Sequence, residues 1–440
     1  MSQSTAAAAP EAGSSPVRSM RSILLSMEID TRMLGLIGAT IVIWIGFNIL
    51  SGGSFLTPRN LWNLSVQSAA VAVMATGMVL IIVSRNIDLS VGSILGFTGM
   101  VMALMQAEWL PNSLGLGLNH PLTWIIALTA GLIVGALIGG LQGFLVAYVG
   151  IPSFIVTLGG LLVWRGFAWT LASGRTIAPL DAIFLLLGGG PRGSVGATIS
   201  WIIGGVAVVG LIYALFSGRR RRRKYGFPVR PMWAEITIGV VGSIGALGAV
   251  WIANNYFWPE GLARDYAEAN GIPWPEGGLQ IPTGIANPVL IAIVVAVVMT
   301  ILATRRRFGR YVYAIGGNPE AAELGGINTR RVIMSTFVLM GILAAISAVI
   351  SIARLESAVV GLGVGAELAV IAAAVIGGTS FAGGIGTIPG AVFGAVLMQS
   401  LQSGMALLKI DAPIQDIIVG IVLVTAVGLD TVLRRRAGRP

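Results

Sequence analysis

The sequence has no cysteine, one histidine (His120) and two lysines (Lys224 and Lys409). Without thiols it holds no disulfide frame, thiol nucleophile, zinc knuckle or iron–sulfur site. A single imidazole cannot build a metal site or a histidine relay, and His120, just before Pro121, reads as a loop residue. Neither lysine follows a glycine, so no phosphate-cradling G-x-x-x-x-G-K-[ST] loop can be written. If ATP drives this protein, another chain binds it. Charge is scarce as well: 10% of residues are charged, against roughly 25% in soluble globular proteins. That is too little polar surface to coat a soluble body of 440 residues.

What is there is apolar. Hydrophobic residues make up 55% of the chain, and the mean hydropathy is +0.87. About twelve apolar runs follow one another, most near the roughly 20 residues that span 30 Å of hydrocarbon. They cover 33–50, 61–83, 90–107, 122–149, 152–171, 199–216, 233–252, 285–303, 332–353, 367–377, 386–408 and 414–427. The run 367–377 lies between two Gly-rich stretches and is too short for a simple span, which marks it for a broken or re-entrant segment. The fold class is therefore all-α and polytopic, with about 10–12 transmembrane helices.

The net charge of +10 is not a general basicity of the nucleic-acid-binding kind. The cations gather in short blocks between apolar runs, as in the cytoplasmic loops of inner-membrane proteins. With the N-terminus inside and strict alternation, 21 of 28 cations fall on the cytoplasmic side. Residues 1–32 then read as a disordered cytoplasmic tail and 33–432 as one membrane domain. Within it 217–232 is a basic cytoplasmic loop, 253–283 an opposite-side loop and 304–331 a second basic cytoplasmic loop. Residues 433–440 form a basic cytoplasmic tail. The 253–283 loop sets Arg264 against Glu260, Asp265, Glu268 and Glu276, and carries Tyr256, Phe257, Trp258 and Trp274, which suit an interface. Glycines recur every four residues at Gly131, Gly135, Gly139 and Gly143, and again at Gly386, Gly390 and Gly394. That spacing bares one helix face for close packing.

Three segments carry mechanism. Ser84–Gly92 (SRNIDLSVG) places Arg85 and Asp88 between two apolar runs. Asp88 reads either as a cap or partner of Arg85, or as an ionisable group beside a pathway. Ile376–Thr387 (IGGTSFAGGIGT) frees the backbone from regular helix, which membrane depth tolerates only against protein or a water-filled cavity. Residues 305–331 are basic and contain a compact helix signature. Asn318 is a good N-cap, Pro319 suits the first position, and Glu320 favours the positive helix end. Ala321, Ala322, Glu323 and Leu324 are good helix formers, and Gly325 is a natural stop. So short a helix is unstable alone in water, so it makes sense if a partner grips it.

These stretches resemble a family. NPEAAELGGI is similar to the cytoplasmic coupling segment of ABC importer permeases. Asn86–Gly92, Ile151–Gly159, Tyr313–Ile327, Ile376–Thr387 and Gln415–Asp430 look, in that order, like the branched-chain/monosaccharide group, which serves ribose, arabinose and xylose. The basic block Arg219–Lys224, the run 233–252 and the step Asn254-Asn255-Tyr256 resemble an insertion of the xylose permeases. One departure is Ala369, where the family pattern near Glu367 has an aspartate, so no role for that carboxylate carries over.

The resemblance implies a type II importer-like permease of the bacterial inner membrane. Two copies form a pathway, a separate ATPase chain binds ATP and magnesium beneath it, and a periplasmic binding protein delivers a monosaccharide from above. No cofactor belongs to this chain. Asn318 to Gly325 would seat in the ATPase. A neutral sugar needs hydroxyl and amide partners, and Asn86, Ser90, Thr379 and Ser380, with Asp88, are the candidates near the pathway. Two rivals stay in view. One keeps the class and changes the cargo to another pentose, a hexose or a nucleoside. The other is an ion-coupled secondary transporter, which needs buried titratable groups; only Asp88, Glu367 and Asp416 offer themselves, near span ends.

Overall fold

The computed structural model describes residues 31–436. The predicted tail 1–32 lies almost wholly outside them, and so does the end of the 433–440 tail.

Among the described residues, ten helices are long and apolar enough to cross a membrane. In chain order the long elements are α1 (Thr31–Leu50), α2 (Pro58–Val83), α3 (91–114), α4 (123–149) and α5 (Ser153–Ala172). They continue with α6 (Gly196–Lys224), α7 (Met232–Asn254), α8 (Glu260–Ala269), α9 (Asn287–Arg305) and α10 (Arg307–Gly317). Last come α11 (Pro319–Leu324), α12 (Thr329–Leu355), α13 (Ala366–Ile376), α14 (Ile388–Leu407) and α15 (Ala412–Arg436). Among the described residues there is no β-sheet, only isolated bridges. The all-α polytopic class expected from the sequence is what forms.

Helix boundaries follow local chemistry. The Thr57 hydroxyl accepts from Asn60 N–H at 3.4 Å ahead of Pro58. The Thr387 hydroxyl accepts from Gly390 N–H at 3.2 Å ahead of Pro389. Each supplies an orphan first-turn donor with an oxygen, and proline stands where no N–H is needed.

Burial sorts the helices into a centre and a rim. The most buried spans are α2 and α3, with α12, α13 and α14 packed around them. Helices α1, α5, α6 and α7 are largely exposed along their lengths. The first glycine row makes α4 and α12 an intimate pair. A Cβ at Gly139 would collide with the Phe337 carbonyl, one at Gly135 with that of Gly341, and one at Gly143 would meet Met334. The second row does the same between α13 and α14, where Gly394 abuts the Ala373 carbonyl and Gly390 that of Gly377. Backbones that approach this closely gain dispersion contacts that replace a hydrophobic driving force inside lipid.

Three stretches differ from the sequence expectation in extent. The basic block at 217–224 is not loop but the last turns of α6, because arginine and lysine are good helix formers and reach polar surroundings on long stems. The connection is only the turn that follows, closed where Arg219 donates to Glu235 at 2.7 Å and to the Arg230 carbonyl at 3.0 Å. The 304–331 loop is mostly helical, as α10 and α11. Its missed helix α10 had a signal: Phe308, Val312 and Ile315 recur at helical spacing among basic and polar residues. Helix α15 runs on through Arg436 rather than ending at 432.

The 253–283 segment is ordered too. It holds α8, and its ends are tied together where Thr283 N–H donates to the Tyr256 carbonyl at 2.8 Å and Trp258 N–H to that of Ile281 at 2.9 Å. Trp62 of α2 fastens it to the bundle, donating from Nε1 to the Gly284 carbonyl at 2.8 Å and packing on Tyr256 with ring centroids 4.8 Å apart.

Candidate functional site: two helix breaks and a capped helix

The short helix forms where its caps predict. The Asn318 side chain accepts from Ala321 N–H at 3.0 Å, Pro319 opens the helix, and Gly325 caps its end. The left-handed residue that turns the chain away is the next one, Gly326, at φ +81°. Ala322 is buried against the protein, whereas Glu320, Ala321, Glu323 and Leu324 face outward. Leu324 is 91% exposed. Leu324 is thus no core element, and the outward face of this short helix is left open.

Helix α10 carries α11 and is clamped to both breaks in the bundle. Arg85 donates from Nε to the Gly316 carbonyl at 2.8 Å and from Nη2 to that of Gly317 at 2.9 Å. This satisfies two carbonyls at the end of α10, where helix geometry leaves acceptors unpaired and favours a cation. The Tyr313 hydroxyl donates to the Gly386 carbonyl at 2.7 Å. Gly384 N–H donates to the Val83 carbonyl at 3.0 Å. Gly316 sits where these meet: a Cβ there would collide with the Val83 carbonyl and crowd Gly384 N–H. The breaks 84–90 and 377–387 therefore join each other and α10 at one point.

The candidate pathway residues lie in these breaks. Asp88 and Ser90 are fully buried. The Asp88 carboxylate accepts from the Ser90 hydroxyl at 2.6 Å and from its N–H at 2.9 Å. It forms neither the pair with Arg85 nor a first-turn cap, because Arg85 is committed to α10 and Ser90 is itself the residue before α3. With its one proton on Asp88, the Ser90 hydroxyl accepts from the Gln142 side-chain amide of α4 at 2.9 Å. The Asn86 amide bonds locally to the Ser84 carbonyl at 2.9 Å. In the second break Thr379 and Ser380 are buried; the Ser380 hydroxyl accepts from Ala382 N–H at 3.2 Å, and the Thr379 hydroxyl has no partner. Among the described residues, no hydrogen bond joins the Asp88–Ser90 pair to the Thr379–Ser380 pair.

Glu367 opens α13 and is buried, with Gly92 against its Oε2. Asp416 is exposed on α15. His120 occupies the turn before α4, its Nδ1 accepting from Leu122 N–H at 3.3 Å. Among the described residues no group of His, Asp and Glu is arranged to hold a metal ion. The sequence reading overlooked Gln142 and Arg165. Arg165 was legible as the lone charge inside an apolar run; Gln142 had no signal beyond being an amide at span depth.

A family model described as the branched-chain amino acid transport system permease component matches residues 60–427. The chain belongs to this permease family. Among curated relatives, this permease is 36% identical to the xylose transport system permease protein XylH of Escherichia coli (strain K12) over 410 residues, 93% of this chain and 94% of that one. The XylH of Haemophilus influenzae is 36% identical over 89% of this chain and 94% of its own. The ribose import permease protein RbsC of Escherichia coli (strain K12) is 30% identical over 86% of this permease and 87% of its own length. No solved structure matches. The resemblance expected from the motifs is thus borne out at family level, and this permease is a multi-pass membrane protein.

Proposed function

We propose that this permease is the membrane subunit of an ATP-driven monosaccharide importer, with xylose as its sugar. The relatives' names support the cargo. The observation that carries the mechanism is α11, a capped helix with an exposed tip, fixed through α10 to two breaks in the bundle.

In this reading both termini and the basic loops face the cytoplasm, as the cation distribution favours. Two copies enclose the pathway. An ATPase chain holds ATP and magnesium and grips Glu320, Ala321, Glu323 and Leu324. A periplasmic binding protein docks on the opposite side. Closure of the ATPase displaces α11, and α10 passes the displacement through Arg85 and Tyr313 to the breaks. Those segments lack regular helical bonding, so they are where a bundle of packed spans can yield. Asn86, Asp88, Ser90, Thr379 and Ser380 ride on them.

The test is a reconstituted complex. Glu320→Arg with Ala321→Arg should abolish sugar-stimulated ATP hydrolysis, and mass spectrometry of the purified wild-type complex should find an ATPase chain. Sugar uptake that persists with no ATPase subunit would sink the reading and favour an ion-coupled transporter.

A further inference from the structure

Helix α5 is exposed along most of its length, and its outward side chains are those of a lipid or partner face: Phe154, Ile155, Leu158, Leu162, Phe167. Arg165 interrupts that face. It lies about 18 Å along the helix from its start, at 1.5 Å per residue, which is mid-span. Its side chain is 37% exposed and reaches Glu367 of α13 at 4.0 Å. A guanidinium turned to lipid at this depth is costly, and such groups face bundle interiors or water-filled cavities. Its partner on α13 and its neighbour on α5 each carry a polar atom that the protein does not satisfy. Glu367 is 7% exposed, its Oε2 has no hydrogen-bond partner, and Trp164 Nε1 is buried without one. Buried polar groups are rarely left so, and each one calls for a partner that the chain alone does not supply.

The neighbouring surface is aromatic. Phe97 of α3, Trp164 and Phe167 form a cluster with ring centroids 5.6 to 6.2 Å apart. Apolar C–H faces ringed by hydroxyls define a monosaccharide. Aromatic rings take such faces, while a carboxylate, a guanidinium and an indole N–H take the hydroxyls.

The geometry points to a sugar-contacting site at the junction of α3, α5 and α13. In it Glu367 accepts from sugar hydroxyls, Arg165 and Trp164 Nε1 donate to them, and Phe97 and Phe167 pack against the ring. The site rests on the proposed function, because the exposed α5 face closes into a pathway only against a second copy. It explains why an ion pair stands at mid-span and why its length, 4.0 Å, is too long for a direct hydrogen bond.

The experiment uses the full chain in proteoliposomes with its ATPase and binding protein, and radiolabelled xylose and ribose as probes. Trp164→Phe removes the N–H and keeps the ring; it should cut xylose uptake at least fivefold and shift the xylose-to-ribose ratio. Glu367→Gln should cut uptake at least tenfold. The ratio is read within one preparation, so loss of folded protein does not imitate the effect. The charge swap, Arg165→Glu with Glu367→Arg, keeps the pair and should leave uptake as low as the single change does. Full rescue by the swap, or Trp164→Phe behaving as wild type in rate and ratio, overturns the site and leaves a structural ion pair. Wild-type protein that takes up neither sugar overturns the proposed function, and the site with it.

Discussion

Replacing Arg85 by alanine should uncouple this permease. The guanidinium makes two charge-assisted bonds to the end of α10, one half-buried and one exposed. Hydrogen bonds to charged groups contribute about 1.5–3 kcal/mol each, and solvent screening discounts the exposed one. A net loss of about 2 kcal/mol remains, which is roughly 30-fold in any equilibrium the clamp biases. The assay is sugar uptake per ATP hydrolysed in proteoliposomes. Arg85→Ala should lower that ratio at least tenfold while basal ATPase activity holds. Arg85 also adopts φ +64°, a left-handed conformation that costs a side-chain-bearing residue about 1 kcal/mol. Arg85→Gly relieves that strain yet removes the same clamp. If the clamp matters, glycine and alanine uncouple alike, although glycine gives the more stable protein. Normal coupling in both variants would refute the reasoning, and recovery in glycine alone would shift the cause to the backbone.

Other outcomes follow from the same contacts. Asn318→Ala removes the α11 cap at a cost of about 1 kcal/mol and should weaken co-purification of the ATPase several-fold. Gly139→Leu forces α4 from the Phe337 carbonyl of α12; overpacking of 1–3 kcal/mol or more should lower the melting temperature and the yield of monodisperse protein in detergent. Arg219→Ala removes the charge-assisted bond to the part-buried Glu235, which costs about 1.5–3 kcal/mol. It should loosen the α6–α7 hairpin to proteolysis while sugar-stimulated ATPase activity stays near wild type, because that hairpin is peripheral to the breaks.

Much of the fold was legible because the bilayer allows few solutions. Apolar run length gave α1, α2, α4 and α5 to within three residues, while α3 runs seven residues past its expected end; four-residue glycine spacing marked the packing faces of α4 and α14, though not their partners. The helix α11 was readable from its caps. Less legible was what required knowing which chain ends meet. The basic block 217–224 looks like loop by charge, yet it is helical by propensity and by its partner Glu235. Arg85 reads from sequence as a partner for Asp88 three residues on, whereas it reaches across 231 residues of chain to Gly316. Arg165 and Glu367 are 202 positions apart, and neither span announces the other. Long-range pairing of this kind is set by packing, and local pattern is silent about it.

The proposed coupling needs α10 to act as a lever, and the packing supports that reading. A movement at α11 is transmitted only if nothing between it and the pathway absorbs the motion. Helix α10 is short and buried along Gly309, Val312, Ile315 and Gly316, so it has little room to bend. Its end next to α11 leaves no space for a side chain at Gly316 between Val83 and Gly384, so it cannot slide past either break. The breaks are the opposite case: Gly378, Gly383 and Gly384 take positive φ, and few backbone bonds there repeat from one residue to the next. In the proposed mechanism a stiff rod touching two soft hinges at one point moves both together. The first hinge carries Asp88 and Ser90, the second leads back through α13 to Glu367. In that mechanism one displacement at the surface then reaches polar groups from both breaks, which converge on the start of α3, where Glu367 lies against Gly92.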